Sequence, residues 1–150
     1  MTSRFLAKVL YTAQRHDGAF ERKIEQLVFE ALTYTDCEAA VYKYMESVTR
    51  AEFTIMKIDR FQVDKLIMGK EPNLYFLVKQ EWDSVDGQTI KEKILIAAKF
   101  IEDAKTLLAL NNTESIVANL HLPIVKSIVE TKITDYIYAE TDQDWKSVHP

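Results

Sequence analysis

The chain has 150 residues, of which 19 are Lys or Arg and 23 are Asp or Glu, so its formal net charge is −4. At about 100 to 200 residues per domain this length predicts one domain or two very small ones, and the mild acidity argues against a protein whose main task is to coat nucleic acid or an anionic membrane. A hydrophobic fraction of 47%, with three glycines and three prolines, is typical of a globular protein and excludes a low-complexity chain.

The first half of the chain reads as a hairpin followed by a helix. Asp17-Gly18 separates two alternating segments, 5–14 and 20–32, and Asp-Gly between such segments is a strong hairpin signal because Gly accepts a positive φ and Asp tolerates one. A helix of about four turns is expected next, with Thr35 and Glu38 as its capping box. Its apolar positions follow a nearly helical spacing: Ala39, Ala40, Val41, Tyr44, Met45 and Val48.

The second half repeats this order after a linker at 69–73, the one stretch that combines Gly, Pro and Asn. Asp86-Gly87 predicts a second hairpin, which joins 74–82 to 88–100. A second apolar, helical segment follows, and we expect it to break near Asn111 and Asn112, with Thr113 as a second N-cap.

Each half ends in a β-rich segment, and the two segments align. A shift of 70 residues superposes Ile55 on Val125, Ile58 on Ile128, Val63 on Ile133 and Ile67 on Ile137. We therefore predict an α+β fold in which two β-β-α-β repeats with antiparallel hairpins, 4–68 and 74–138, form one pseudo-symmetric domain over 1–139. The alternative is a single α+β sheet whose halves look alike because strand patterns are repetitive.

A series of short motifs runs along most of the chain. In order they are Phe5-x-x-Lys8-Val9-x-Tyr11, Asp17-Gly18, Ala31-Leu32-Thr33-Tyr34-Thr35-x-x-Glu38-Ala39, Glu52-Phe53-x-Ile55, Arg60 and Tyr75-Phe76-Leu77-Val78-Lys79. Over roughly residues 4–138 this order resembles a small domain family of unknown function that is found in Bacteroidota and in their phages and mobile elements. The resemblance implies a phage or mobile-element protein and carries over no catalytic residue.

Motifs of the common catalytic and cofactor sites are absent from the sequence. His16, His121 and His149 have no partner at a metal-ligand spacing, no serine is flanked by glycines as in a nucleophile elbow, and no two glycines are close enough for a dinucleotide or phosphate loop. Carboxylates such as Asp59 and Asp64 are read as solvated faces. We expect no catalytic, cofactor-binding or metal-binding residues, and no cofactor.

Cys37 is the only cysteine, so a disulfide within the chain is excluded. The sequence shows no secretory signal, and its apolar runs are far shorter than the about 20 residues of a membrane helix. With the resemblance, this predicts a protein of the bacterial host cytoplasm or of a virion, without membrane partners.

The polar segment 140–150 follows the second repeat and contains two apolar side chains, Trp145 and Val148. We interpret it as a C-terminal docking tail, because a tryptophan buries about 150 to 250 Å² and can anchor a polar segment. Trp145, Val148 and the nearby Tyr138 are the candidate partner-binding residues. The tail docks either on a partner chain or on its own domain.

The predicted function is that of a non-catalytic structural or interaction protein, a phage component within a larger assembly or a homo-oligomer. The alternative is a single-stranded nucleic-acid-binding accessory protein, because the first and fourth predicted strands carry aromatic and lysine side chains, and an open sheet face with such side chains could stack single-stranded bases. Burial of both faces of these strands is the simpler explanation of their apolar pattern.

Overall fold

The computed structural model describes residues 1–119 and 122–139 of the chain, without the side chains of 115–119. Eight strands and two helices are seen in this part of the chain, as an α+β fold. In order they are β1 (Ser3–Gln14), β2 (Phe20–Ala31), α1 (Tyr34–Val48), β3 (Phe53–Arg60), β4 (Lys65–Met68), β5 (Leu74–Asp83), β6 (Thr89–Ala98), α2 (Ile101–Asn119), β7 (Ile124–Glu130) and β8 (Ile133–Ile137).

The elements form two compact units. The first holds Met1–Phe61 and the described chain from Asp135, and the second holds Gln62–Thr134. The first unit contains the sheet β3-β1-β2-β8 with α1, and the second contains the sheet β4-β6-β5-β7 with α2.

Each unit buries one sheet face beneath its helix, as the alternation of side chains along a strand requires. In the first unit Phe5, Ala7 and Val9 of β1 belong to one core with Val41 and Met45 of α1. The corresponding core of the second unit joins β5 and β6 to α2: Phe76, Val78, Ile94, Ile96, Ala98, Ala104 and Leu108.

Both predicted hairpins are confirmed as antiparallel strand pairs, β1 with β2 and β5 with β6. Gly18 has φ +86° and Gly87 has φ +84°, the left-handed region that glycine enters without a steric penalty. The turns are built alike, because the N–H of each glycine donates to a carbonyl three residues earlier, that of Arg15 or Ser84, at 3.0 Å. Asp17 and Asp86 also act within the turns, because Asp17 accepts from the N–H of Ala19 at 3.0 Å and Asp86 accepts from the Ser84 hydroxyl.

The two sheets have corresponding strand orders and registers. β3-β1-β2-β8 matches β7-β5-β6-β4, and the pairing of the first hairpin strand with the strand after the helix is interrupted at the same place, between Lys8 and Val9 and between Lys79 and Gln80. Ile55 pairs with Val9 where Val125 pairs with Gln80. This agreement supports the internal duplication that the sequence predicts.

The fourth strand of each sheet comes from the other half of the sequence. β4 follows β3 but pairs in parallel with β6, and β8 follows β7 but lies beside β2. The units therefore do not coincide with the halves 4–68 and 74–138. The reason is the short connection between β3 and β4. Because β3 runs parallel to β2, a further strand parallel to both in the same sheet would need a crossover of about a dozen residues. Only residues 61–64 connect β3 to β4.

The first helix has the expected length but begins earlier than predicted. Thr33, not Thr35, is the N-cap: its side chain accepts from the N–H of Asp36 at 3.1 Å and donates to the Asp36 carboxylate at 2.9 Å. The capping pair is therefore Thr33 with Asp36 instead of Thr35 with Glu38. The shift places Cys37 on the buried face with Val41 and Met45.

The predicted break in the second helix is wrong. α2 runs without interruption through Asn111 and Asn112, and Thr113 donates its hydroxyl hydrogen to the Ala109 carbonyl within the helix instead of starting a new one. Both asparagines are buried, and their amides are satisfied by tertiary hydrogen bonds with Gln80 and Lys65. Burial with satisfied partners outweighs the local preference of asparagine for turns.

Candidate interaction grooves

A groove of about 600 Å³ lies in the first unit between α1 and the carboxyl ends of β2 and β8. We call it the α1 groove. Small side chains of the helix line one side, and the other side is formed by the chain at the end of β8: Ala39, Ala40 and Ser47, then Ile137, Tyr138 and Ala139. Glu30, Asp36 and Lys43 also line it, so charged groups surround a largely apolar surface.

Comparison of the two units shows why this groove is open. When the two helices are aligned by their buried positions, Cys37 corresponds to Ala104 and Val41 to Leu108. In this alignment Ala40 is equivalent to Leu107. Leu107 is half-buried and packs against the core of the second unit. Ala40 lacks three carbon atoms of that side chain, so the same position in the first unit remains unfilled.

The second unit has its own groove on the other side of its helix. This α2 groove, of about 430 Å³, lies between α2 and β7 and is lined by Ala109, Leu108, Pro123, Val125 and Ile128 among others. The residue of α1 that corresponds to Ala109 is Tyr42, whose ring packs on Phe53 with centroids 5.2 Å apart. Each groove thus lies beside an alanine at a helix position where the other unit carries a larger side chain.

Hydrogen bonds between side chains hold β8, one wall of the α1 groove, in place. Tyr44 of α1 donates its hydroxyl hydrogen to Asp135 at 3.0 Å. On another residue of β8, the Tyr136 hydroxyl donates to Glu30 and accepts from Nε of Arg4 at 2.9 Å. Burial, together with the neighbouring carboxylates, raises the pKa of Tyr44 and of Tyr136 above its ordinary value, so both hydroxyls stay protonated and donating at neutral pH.

The structure brings one of the three predicted partner-binding residues to this groove. Tyr138 lines the α1 groove, is 54% exposed, and lies edge-on to Tyr136 at 5.0 Å. Trp145 and Val148 lie outside the described residues. Asp17, Gly18, Asp86 and Gly87 lie at the hairpin turns and line neither groove.

Sequence reasoning missed the residues of α1 that open the groove. Ala39 and Ala40 were read as part of the buried helix face, yet Ala39 is exposed and Ala40 is only half-buried. The pair of adjacent alanines was the available signal. It becomes informative only once the second helix is aligned on the first, because the missing volume is defined by Leu107.

Groups with nucleophilic or ligating chemistry do not converge in the part of the chain that the structure describes. Over those residues no cluster of three His, Cys, Asp or Glu side chains is placed to hold a metal ion. Burial raises the pKa of Cys37 to about 11, so its thiol is mainly uncharged at neutral pH despite its place in the first turn of a helix. None of the described helices is long and apolar enough to cross a membrane.

The fold and the grooves define a class of protein: a duplicated α+β protein in which the two halves of the sequence exchange their fourth strands, and whose two units present apolar grooves beside their helices. The model of a family described as a domain of unknown function, DUF4494, matches residues 3–140. The chain belongs to that family, in agreement with the resemblance to a small family of unknown function. No curated protein and no solved structure matches the chain.

Proposed function

We propose that this protein is a non-catalytic interaction protein that works within a larger assembly of protein chains, and that the α1 groove is a docking site. The observation that carries the proposal is the open groove at Ala40, where the second unit has Leu107. Ligand sites in proteins commonly have volumes of about 300 to 1,000 Å³ and are mostly apolar with a few polar groups, which describes this groove.

The shape of the groove suits a short protein segment with one large apolar side chain. Its floor is made by small side chains of a helix, and its opposite wall follows β8, the outermost strand of its sheet over the described residues. An extended segment beside such a strand can place a side chain in the groove and use backbone hydrogen bonds for affinity. A large anchor in a pocket with a polar rim is the usual arrangement of an interface hot spot.

The finer proposal is a phage component, in the virion or in its assembly in the host cytoplasm. It is supported by the resemblance of the motifs to a family of Bacteroidota and their phages and mobile elements, together with the docking groove. In this role the protein contributes binding surfaces and no reaction.

Nucleic-acid binding has less support. Of the aromatic side chains that suggested it, Phe5, Tyr11, Tyr75 and Phe76 are buried, and only Trp82 is partly exposed. Buried rings are not available to stack on bases. We therefore keep binding of single strands only as an outcome of the test below.

The experiment selects peptide ligands from a random display library on the full chain. Wild type is compared with Ala40→Leu, which fills the α1 groove with the residue of the second unit, and with Ala109→Tyr, which fills the α2 groove with the residue of the first. We expect peptides with a large apolar anchor that bind wild type and Ala109→Tyr but not Ala40→Leu. Peptides that bind all three variants equally would contradict a docking role for the α1 groove.

Light scattering of the purified protein, alone and with a single-stranded oligonucleotide, tests the class of partner. We expect the mass to be unchanged by the oligonucleotide. A stoichiometric complex with the oligonucleotide, combined with the absence of groove-dependent peptides, would favour the accessory nucleic-acid-binding function instead.

A further inference from the structure

In the second unit the chain that follows the fourth strand returns to the end of the sheet. After β4, the N–H of Gly69 donates to the Ala97 carbonyl at 2.7 Å and the N–H of Asn73 donates to the Ala98 carbonyl at 3.2 Å. The backbone there is close-packed, since a Cβ at Gly69 would lie 2.7 Å from the Ala97 oxygen and 3.4 Å from Cδ1 of Leu107. The segment after β4 therefore passes beside the residue that fills the groove position.

In the first unit the chain that follows β8 reaches the α1 groove. Ala139 lies two residues after β8 and corresponds to Gly69 in the shift of 70 residues that aligns Ile137 with Ile67. It lines the α1 groove together with Ala31 at the end of β2. Here, however, the helix supplies Ala40 instead of Leu107. The chain thus reaches the groove wall at Ala139 with the space beside it unfilled.

The segment that follows Ala139 contains the side chains that fit this space. Within 140–150 the sequence is polar except for Trp145 and Val148. Residues 140–144 allow Trp145 to lie anywhere within about 20 Å of Ala139, a reach that includes the adjoining groove. A segment tethered this closely has an effective concentration in the mM range, which favours its own groove over that of another molecule.

We propose that residues 140–150 occupy the α1 groove of their own chain, with Trp145 as the anchor in the space beside Ala40. The proposal rests on the proposed function, because it identifies the resting occupant of the same docking site. Two of the charged groups at the groove already accept hydrogen bonds, Glu30 from Tyr136 and Asp36 from Thr33. The attraction for the segment therefore comes mainly from burial of the indole, which removes about 150 to 250 Å² of surface from water.

The consequence for function is competition. A partner with its own apolar anchor must displace Trp145 before it can enter the groove, so the segment lowers the affinity of the groove for other ligands. Because the tethered segment competes at a concentration in the mM range, we expect Trp145→Ala to tighten binding of any peptide that enters this groove.

The test uses fluorine NMR of the full chain labelled with 5-fluorotryptophan. The sequence has two tryptophans, so two resonances are expected, and Trp145→Phe assigns them. Trp82 lies in β5 of the second unit and reports whether that unit is folded in each variant. The reference for an undocked Trp145 is a labelled synthetic peptide of residues 140–150.

We expect the Trp145 resonance of wild type to be displaced from that of the free peptide, and to return to the free position in Ala40→Leu. Ala109→Tyr, the matched control, should leave it displaced. The displacement should be independent of protein concentration below about 1 mM, as expected for a tethered segment. In all variants the Trp82 resonance should keep its native position.

The full chain carrying both Trp145→Ala and Val148→Ala provides a second measurement. It should bind the added peptide of residues 140–150 saturably. Further substitution Ala40→Leu should weaken this binding by about five- to fifteenfold, which corresponds to the loss of about a quarter of the surface that the indole buries. Wild type, whose groove is already occupied, should bind the peptide more weakly than this receptor variant.

Three results would overturn the proposal. They are a Trp145 resonance at the free position in wild type, a displacement that Ala40→Leu does not change, and a displacement seen only at concentrations at which light scattering shows dimers. The last would assign the groove to the segment of a second copy. In each case groove-dependent peptides selected on wild type would still support the docking function, so the two proposals fail separately.

Discussion

At the scale of single residues, the first unit is notable for tyrosines that donate to carboxylates. Tyr11 donates to Glu25 at 2.7 Å, and the hydroxyls of Tyr44 and Tyr136 donate to Asp135 and Glu30. The pKa of Tyr11 is raised from 10.0 to about 12, mainly because the hydroxyl is buried and to a lesser extent because of its hydrogen bond to Glu25 and the charge of that carboxylate. Burial also raises the pKa of the other two tyrosines. The folded state therefore holds these protons more tightly than the unfolded state does.

The pH dependence of stability follows from this difference. Since the folded pKa is raised, the contribution is fully present below pH 10, the unfolded pKa, and is lost as the pH rises from 10 through about 12 for Tyr11. We expect the free energy of unfolding to fall above pH 10 by about 1.4 kcal/mol per pH unit for each such tyrosine. Urea titrations at pH 8, 10 and 11 would measure it.

The matched variant is Tyr11→Phe, which lowers stability at pH 8 through loss of the hydrogen bond, by about 0.5 to 1.5 kcal/mol. Above pH 10 its free energy of unfolding should decline less steeply than that of wild type. Parallel pH profiles for the two proteins would contradict the assignment of the alkaline loss to Tyr11.

At the scale of elements, α2 is joined to its sheet by polar contacts where α1 uses apolar ones. Gln80 of β5 and Asn112 of α2 exchange two hydrogen bonds of 3.0 Å, and Gln80 also donates to Glu92 at 2.7 Å. The corresponding residues of the first unit are Val9 and Met45, both fully buried. The same packing position is thus filled by two hydrogen-bonded amides in the second unit and by two apolar side chains in the first.

This difference predicts the outcome of a double-mutant cycle. Gln80→Val or Asn112→Met alone leaves a buried amide without its partner and should destabilise by about 1 to 3 kcal/mol. The double variant reproduces the apolar pair of the first unit. It should recover part of that loss, because Gln80 and Asn112 are removed together while Glu92 and Asn111 still lose a hydrogen-bond partner. Urea unfolding of the four proteins measures the coupling, and additive losses would show that the pair does not act as a unit.

At the scale of the whole molecule, the exchange of β4 and β8 ties the two halves of the sequence together. Each sheet is completed by a strand from the other half. A chain cut between Lys70 and Glu71 would leave each fragment with a three-stranded sheet that lacks its fourth strand, and with one strand that has no sheet of its own.

We therefore expect fragments 1–70 and 71–150 to unfold without cooperativity when alone, and to form a one-to-one complex with a cooperative transition when mixed. Circular dichroism of the mixture and of its parts measures this. Fragment 1–62, which lacks β4, is the control and should associate more weakly. Two fragments that fold independently and remain separate would contradict a structural role for the exchanged strands.

Local chemistry explains the features that the sequence predicted correctly. The two Asp-Gly turns, their positive φ angles and the hairpin pairing depend on neighbouring residues and on the absence of a glycine side chain. The presence of both helices and the repeated order of elements could also be predicted from the sequence, because the periodicity of apolar residues is a local property. Tyr138 was the one predicted site residue that the described structure places at the groove.

What only the tertiary structure decided depends on contacts between distant parts of the chain. The connection 61–64 is too short for a parallel crossover, so β4 completes the other sheet. Asn111 and Asn112 remain helical because Gln80 and Lys65 satisfy their amides. The α1 groove exists because Ala40 occupies a position that Leu107 fills in the second unit. A missing volume of this kind has no local signal, because it is defined by the residues packed around it and not by the alanine itself.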